Sequence, residues 1–308
     1  MRKFLQHTAL FSLAVMILLA VGELIVRRAD TPYTYKAQWI RHHGHSVATL
    51  VLGSSHSYYG VRPALLGDSV FSLANPSQSA EYDLMLLRRF GPMMPNLKRI
   101  ILPVGYSTFR DPKLEVIEPG LIMNYKVGMG ITDYSDFSVY NLVLSDFTAY
   151  AGRLRNMIVP QEQLNRCDSL GFGLGFSLSD RRPDWESDGP ARVAYLTQPP
   201  SGRSDEVMHV FGEILDYCRA RGIECVLIST PLWHTFRDSR DAGQHAEMQQ
   251  LTDSLVRTYG VRHIDMSRSA LFADRHFHDV DHMSDIGSIL YTRQLRDSLA
   301  SPLAPGER

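Results

Sequence analysis

Two short stretches, more than two hundred residues apart, hold a serine in one and an aspartate and a histidine in the other, residue types that could serve nucleophilic catalysis if the fold brought them together. The first is Leu50-Val51-Leu52-Gly53-Ser54-Ser55-His56-Ser57, an apolar run that stops at a glycine and delivers two serines. A buried strand, a glycine and then a helix is how α/β hydrolytic folds present a serine hydroxyl at the carboxyl end of a strand. A Ser/Gly cluster after a strand is also ordinary turn chemistry, so the stretch means little alone. The second is Phe277-His278-Asp279-Val280-Asp281-His282-Met283-Ser284-Asp285-Ile286-Gly287. An imidazole acting as a base needs a carboxylate that fixes its tautomer and steadies the imidazolium. If this turn runs into a final helix, positions three apart point the same way. Asp279 can then reach His282 Nδ1, whereas the neighbouring Asp281 cannot easily do so. Ser284 reads as the cap of that helix.

Other residues compete for these roles. His56 adjoins Ser55 and reads as a supporting or packing residue. His234, in Pro231-Leu232-Trp233-His234 after an apolar strand, is a rival base. His276, His278 and His282 with Asp279 and Asp281 suggest a metal site, but they lack the i, i+4 pairing of a helical zinc motif, so no metal is expected. Trp233, Tyr58 and Tyr106 are candidate walls for sugar stacking, a position also typical of core aromatics.

The elements that must position these groups alternate. Val47–Leu52, Val70–Ala74, Arg99–Val104, Ile223–Ser229 and Val261–Ile264 read as buried strands. Ser79–Phe90, Glu206–Arg221, Ala242–Tyr259 and a last helix from about Ser284 to Leu299 read as amphipathic helices. Strands and helices in this order predict a parallel sheet covered on both faces, a three-layer α/β/α sandwich of flavodoxin-like type. The alternation breaks over 111–205, which is rich in Tyr and Phe and carries Gly128-Met129-Gly130, Gly171-Phe172-Gly173-Leu174-Gly175-Phe176 and one helix candidate near Asn141–Met157. Those glycines do not join a strand to a helix, so no dinucleotide site is implied. A long irregular insertion is expected to be a lid or substrate-facing segment, with a docking surface as the alternative.

Upstream, Arg2 and Lys3 precede a nearly all-apolar run from Ala9 to Val26, closed by Arg27-Arg28. The run is long enough to span a bilayer and lacks a small-residue cleavage site. It predicts an uncleaved signal anchor at 1–30, inserted through 9–26 with its N-terminus inside. Residues 31–46 then read as a polar juxtamembrane linker, and 47–302 as the catalytic domain with insertion 111–205. A formal charge of −1 over 308 residues argues against a nucleic-acid binder. Cys167, Cys218 and Cys225 have no metal-ligand spacing and an odd count, so a disulfide framework is not expected.

The sequence resembles the SGNH (GDSL-like) hydrolases, in particular the membrane-anchored bacterial branch related to cell-envelope polysaccharide O-acetylation proteins. Gly53-Ser54-Ser55 occupies the first block, normally Gly-Asp-Ser, and Asp279-Val280-Asp281-His282 the last. Asn75-Pro76-Ser77-Gln78-Ser79 resembles the second. Gly105-Tyr106-Ser107-Thr108 stands where the third normally reads Gly-x-Asn-Asp. The resemblance covers about 47–110 and 206–300. It implies a Ser55–His282–Asp279 triad, no cofactor, and an acyl-enzyme on Ser55. The oxyanion and substrate positions it implies are Gly53, Ser54, Asn75, Ser77, Gly105 and Ser107. The missing third-block Asn would have donated to the oxyanion; the Ser55 amide, the amide near Ser77 and the Asn75 side chain are the expected replacements. It further implies an acylated envelope glycan as substrate, a periplasm-facing domain on the inner membrane, and a multi-span acyltransferase partner. Acyl transfer and ester hydrolysis both fit. The competing class is a degenerate SGNH fold kept as a glycan-binding or assembly subunit; a soluble esterase would need the N-terminal run cleaved or buried.

Overall fold

The computed structural model describes residues 1–27, 31–131, 166–199 and 202–301, with Ala151 and Arg155. Five strands form one sheet: β1 (Thr49–Val51), β2 (Val70–Ser72), β3 (Arg99–Pro103), β4 (Glu224–Ser229) and β5 (Arg262–Asp265). Their order is β2-β1-β3-β4-β5, and each neighbouring pair is parallel. Side chains alternate across a strand, and both faces are apolar. Leu50, Phe71, Ile100, Leu102 and Leu227 join one core, with Leu87 and Phe90 of the helix Ala80–Phe90, Phe211 and Ile214 of Arg203–Arg219, and Leu255 of Ala242–Tyr259. Val51, Val70, Ile101, Val226, Ile228 and Ile264 join the other, with Phe236, Tyr291 and Leu295. The three-layer α/β/α arrangement is therefore the one the strand pattern predicts. The order reverses between β1 and β3, and ligands of such sheets bind outside the carboxyl ends of the strands at that point.

Numbering helices in chain order, α1 is Arg2–Arg27 and α2 is Pro32–His43. The first is long and apolar enough to cross a membrane, and its side chains are almost all exposed. The second lies in the segment 31–46 read as a polar juxtamembrane linker and is a helix. Thr31 and Thr34 form a reciprocal capping box, Pro32 opens the helix, and Tyr33, Ala37 and Ile40 are buried at helical spacing. Trp39 lies flat on Phe71 of β2, ring centroids 4.0 Å apart. The polar letters between these residues hid the stripe; Lys36 lies on it and is fully buried.

Downstream come α3 (Ser55–Gly60), α4 (Pro63–Leu66), α5 (Ala80–Phe90), α6 (Leu114–Ile117), α7 (Pro119–Met123), α8 (Gly189–Leu196), α9 (Arg203–Arg219), α10 (His234–Ser239), α11 (Ala242–Tyr259) and α12 (Asp285–Ala300). The described parts of the 111–205 insertion are not wholly irregular. They include α6, α7, a π-helical stretch Asn124–Met129 and α8, and Tyr125 and Met129 enter the first core. A loop at 168–173 covers the edge strand: Ser72 N–H donates to Leu170 O at 2.9 Å. Gly171, at φ +88°, fits there because a Cβ would overlap the Ser72 carbonyl. The helix expected near Asn141–Met157 lies outside the described residues, apart from Ala151 and Arg155.

Candidate active site

Strand β1 ends at Val51, and the chain must turn at once to start α3. Gly53 makes the turn at φ +105°, where a Cβ would also overlap the Pro103 ring of β3. Its N–H donates to Asp83 Oδ1 of α5 at 2.8 Å, which pins the turn from below. Ser54 is the N-cap residue and Ser55 the first residue of α3. The N–H groups of Ser55 and His56 therefore have no intrahelical acceptor.

The opposing group comes from a loop, not from the helix it precedes. An antiparallel bridge between Phe277 and Met283 closes residues 278–282 into a tight loop, and His278 N–H donates to His282 O at 3.0 Å. Asp279 Oδ1 accepts the N–H groups of Asp281 and His282 at 3.0 and 2.8 Å. This holds its carboxylate against the ring: both oxygens lie 3.0 Å from His282 Nδ1. His282 Nε2 lies 2.8 Å from Ser55 Oγ. The loop also brings Asp281 Oδ1 to 3.3 Å from Nδ1. The expectation that Asp281 stays out of reach assumed helical geometry; in the closed loop both aspartates converge. Met283 leads into α12, whose N-terminus Ser284 caps by accepting Gly287 N–H at 3.1 Å.

The electrostatics follow from this crowding. Burial acts to push the His282 imidazole down, but the Asp279 and Asp281 carboxylates outweigh it and raise the pKa to about 10. Burial acts to raise Asp279, yet the imidazole holds it at about 2. Asp281 is held well below the usual carboxylate range against its own burial, by His282, His56 and Arg192. Asp83, fully enclosed beneath Gly53, goes the other way: burial raises it to about 7 despite hydrogen bonds from Gln78 and Gly53.

The remaining predicted positions are distributed unevenly. Ser54 Oγ lies 3.3 Å from His56 Nδ1, and both residues border a small cavity of about 70 Å³ with Tyr106, Asp111, Leu232 and Asp281. Gly105 and Ser107 line the same cavity, but the Gly105 N–H donates to Thr108 Oγ1 and the Ser107 hydroxyl to Asp111. Asn75 is fully buried, and its amide donates to Leu73 O and Gln78 Oε1 at 3.0 and 2.9 Å. That corrects its expected role as an oxyanion donor, because both protons of its amide have partners inside the protein. Lys36 donates to Ala74 O and Asn75 Oδ1 from behind. Ser77, at φ +55°, directs its hydroxyl to Glu118 Oε1 at 2.5 Å. His234 opens α10 beside Trp233 and is exposed; Ser55 pairs with His282 instead.

Arg192, Phe176 and Asp83 were not singled out, and Asp281 was not given this role. Asp281 is buried between His282, His56 and Arg192; Arg192 of α8 donates to both its oxygens at 3.0–3.2 Å. Phe176, from the insertion, stacks on Tyr59 and His278 and sets its edge against His282 at 5.1 Å. Asp83 braces the turn. Only the Phe and Tyr enrichment of the insertion pointed this way. Among the described residues, the cluster whose ligand-type atoms converge is His56, Asp281 and His282, not the set with His276 and His278. Its atoms are already engaged by Ser54, Arg192, Ser55 and Asp279.

No protein-family model matches the sequence, and no curated protein is significantly similar to it. Among solved structures, the chain is similar to a GDSL-like lipase from Bacteroides thetaiotaomicron. That match has 8% identity and a TM-score of 0.40, covering 86% of this chain and 99% of that one. It is also similar to a carbohydrate acetylesterase family member from Sinorhizobium meliloti, at 13% identity and TM-score 0.34, covering 82% and 97%. At these scores the likenesses carry no part of the functional reading. The sheet order and the side chains around Ser55 carry it.

Proposed function

We infer that this chain is a membrane-anchored serine acyl-ester enzyme in which Ser55 is the nucleophile, His282 the base and Asp279 the carboxylate that orients it. The observation that carries the reading is the continuous line Ser55 Oγ–His282 Nε2–His282 Nδ1–Asp279, at 2.8 and 3.0 Å. These groups come from opposite ends of the chain. With Nδ1–H donated to Asp279, a neutral His282 presents the Nε2 lone pair to the Ser55 hydroxyl.

In the first step Nε2 takes the Ser55 proton while Oγ bonds to the ester carbonyl carbon. The carbonyl oxygen becomes an oxyanion, and the Ser55 and His56 amides are the donors available for it. The intermediate collapses, the C–O bond to the leaving alcohol breaks, and that alcohol leaves with the proton from Nε2. An acyl group now sits on Ser55. Water or a second hydroxyl then attacks, giving its proton to Nε2, and Ser55 is released. Phe176 packs at a steep angle beside the His282 ring, centroids 5.1 Å apart; with the membrane anchor and the insertion as a lid, this reading leans towards transfer to a sugar hydroxyl. An acylated cell-envelope glycan, a periplasm-facing domain held by α1 and a multi-span acyl-donating partner complete this reading.

One observation favours the second reading, a fold retained for glycan binding or assembly. Two expected donors are engaged inside the protein: the Asn75 amide donates to Leu73 O and Gln78 Oε1, and the Gly105 N–H donates to Thr108 Oγ1.

Labelling of the full chain in detergent by a fluorophosphonate decides between them. Labelling of wild type that disappears in Ser55→Ala and His282→Ala is the expected result. A folded wild type that does not label at any pH overturns the enzymatic reading in favour of the binding one.

A further inference from the structure

His282 has two carboxylates on one nitrogen, and they are not equivalent. Asp279 is about one-third exposed, while the Asp281 side chain is 2% exposed. Asp281 divides its charge three ways. Oδ1 lies 3.3 Å from His282 Nδ1, Oδ2 lies 3.5 Å from His56 Nε2, and Arg192 Nε donates to both oxygens. The His56 ring lies nearly parallel to that of His282, centroids 4.6 Å apart at 14°.

A buried carboxylate beside an imidazole favours the imidazolium. A guanidinium on the same carboxylate opposes that effect, because its positive charge also reaches the ring. Arg192 belongs to α8, inside the insertion, whereas Asp281 belongs to the loop after β5. The insertion therefore touches the base electrostatically as well as through Phe176.

We propose that Asp281 and Arg192 are positioning residues that set the proton affinity of His282 in opposite directions: Asp281 draws the proton onto the imidazole, and Arg192, acting through Asp281, favours its release. The proposal rests on His282 being the base, and it assigns the insertion a share in tuning it. The groups that face His282 are Ser55 and His56 from α3, Asp279 and Asp281 from its own loop, and Phe176 from the insertion. His278 acts on it through Asp279, and Arg192 through Asp281. Asp111 borders the cavity shared by His56 and Asp281. The raised pKa of His282 agrees with two carboxylates acting against one distant cation.

Two readouts on the full chain in detergent micelles test this. One is the NMR titration of the His282 imidazole, assigned by its loss in His282→Gln. The other is the pH dependence of the fluorophosphonate labelling rate. Asp281→Asn is expected to lower the titration midpoint by about one unit or more, the usual effect of removing a close opposite charge. On the acid side, labelling becomes about tenfold faster per unit at a given pH. Arg192→Gln is expected to raise the midpoint, and Arg192→Lys to restore it towards wild type. A merely structural role would move both variants the same way or neither, and either result overturns the proposal. Should Asp281→Asn fail to fold, the Arg192 pair still decides it. The imidazole titration does not require catalysis, so a wild type that never labels counts against the serine-enzyme reading and leaves this test standing.

Discussion

Ser55 Oγ stands 2.8 Å from His282 Nε2 across 227 positions of sequence. The meeting follows from the sheet. Ser55 follows β1, the Asp279–His282 loop follows β5, and in a parallel sheet all strand ends of one kind lie on one side. Neither group needs a neighbour in sequence, only a common edge.

Asp279→Asn tests the line beyond that contact. The amide oxygen can still accept the N–H groups of Asp281 and His282, so the loop should keep its shape. The amide cannot hold Nδ1–H in the required tautomer. Fluorophosphonate labelling is expected to fall by about 10⁴-fold, the loss typical of this change in a Ser-His-Asp site, with an unaltered circular dichroism spectrum. A loss below tenfold would show that Asp279 does not orient the base.

The outline of this arrangement was legible because strand and helix periods are strong signals. Ala242–Tyr259 reads correctly to the residue, bounded by Asp241 as cap and Gly260 in the left-handed region. Ser55, Asp279 and His282 stood out because each follows a strand or precedes a helix. Three things were not legible. Tyr33, Ala37 and Ile40 form a buried stripe whose polar neighbours disguised it. Asp281 points to the base only because a bridge at Phe277–Met283 closes the loop, and a non-local bridge leaves no periodic trace. Asn75 suits an oxyanion hole by residue type, but Gln78 and Leu73 take its protons, which spacing cannot reveal.

Gly53→Ala should unfold the nucleophile turn. The backbone sits at φ +105° and the new methyl would overlap Pro103. Left-handed strain costs about 1–2 kcal/mol and overpacking about 1–3 kcal/mol more. Chemical denaturation should show a loss of roughly 2–5 kcal/mol, with labelling reduced. An alanine variant as stable as wild type would mean the turn is less constrained than its geometry requires.

Asp83→Asn should stabilise the protein at neutral pH. The Asp83 carboxyl, raised to about 7 by burial, binds its proton more tightly when folded than its ordinary value of about 3.9 allows when unfolded. Folding is therefore penalised as pH rises from about 4, and the penalty levels off above about 7, at roughly 4 kcal/mol for three units. An asparagine oxygen can still accept from Gly53 and Gln78 without carrying charge. The stability gain should be largest at pH 8 and vanish near pH 4. A variant less stable than wild type at pH 8 would show that Asp83 is held there as a carboxylate with net benefit.

Removing residues 2–27 should move the chain from the membrane fraction to the soluble one. Almost every side chain of α1 is exposed, so the core loses little by its removal. Unfolding midpoints with and without it, in the same detergent, should agree closely. Sedimentation of the shortened chain with membranes would instead assign membrane contact to the globular part.

The proton on His282 sets activity and stability against each other. Its pKa, raised to about 10, means that the imidazolium predominates at neutral pH, where Nε2 carries a proton and cannot take the one on Ser55. Labelling should therefore increase with pH, about tenfold per unit on the acid side, and level off near pH 10. Stability runs the other way. A histidine whose folded pKa exceeds its unfolded value of about 6.5 contributes fully below that value, and its contribution is lost as pH rises through the folded pKa. The unfolding midpoint should thus drop across the interval in which labelling increases, and His282→Gln should remove that drop. A labelling rate that is flat between pH 6 and 9 would show that the two carboxylates do not hold the proton on the resting base.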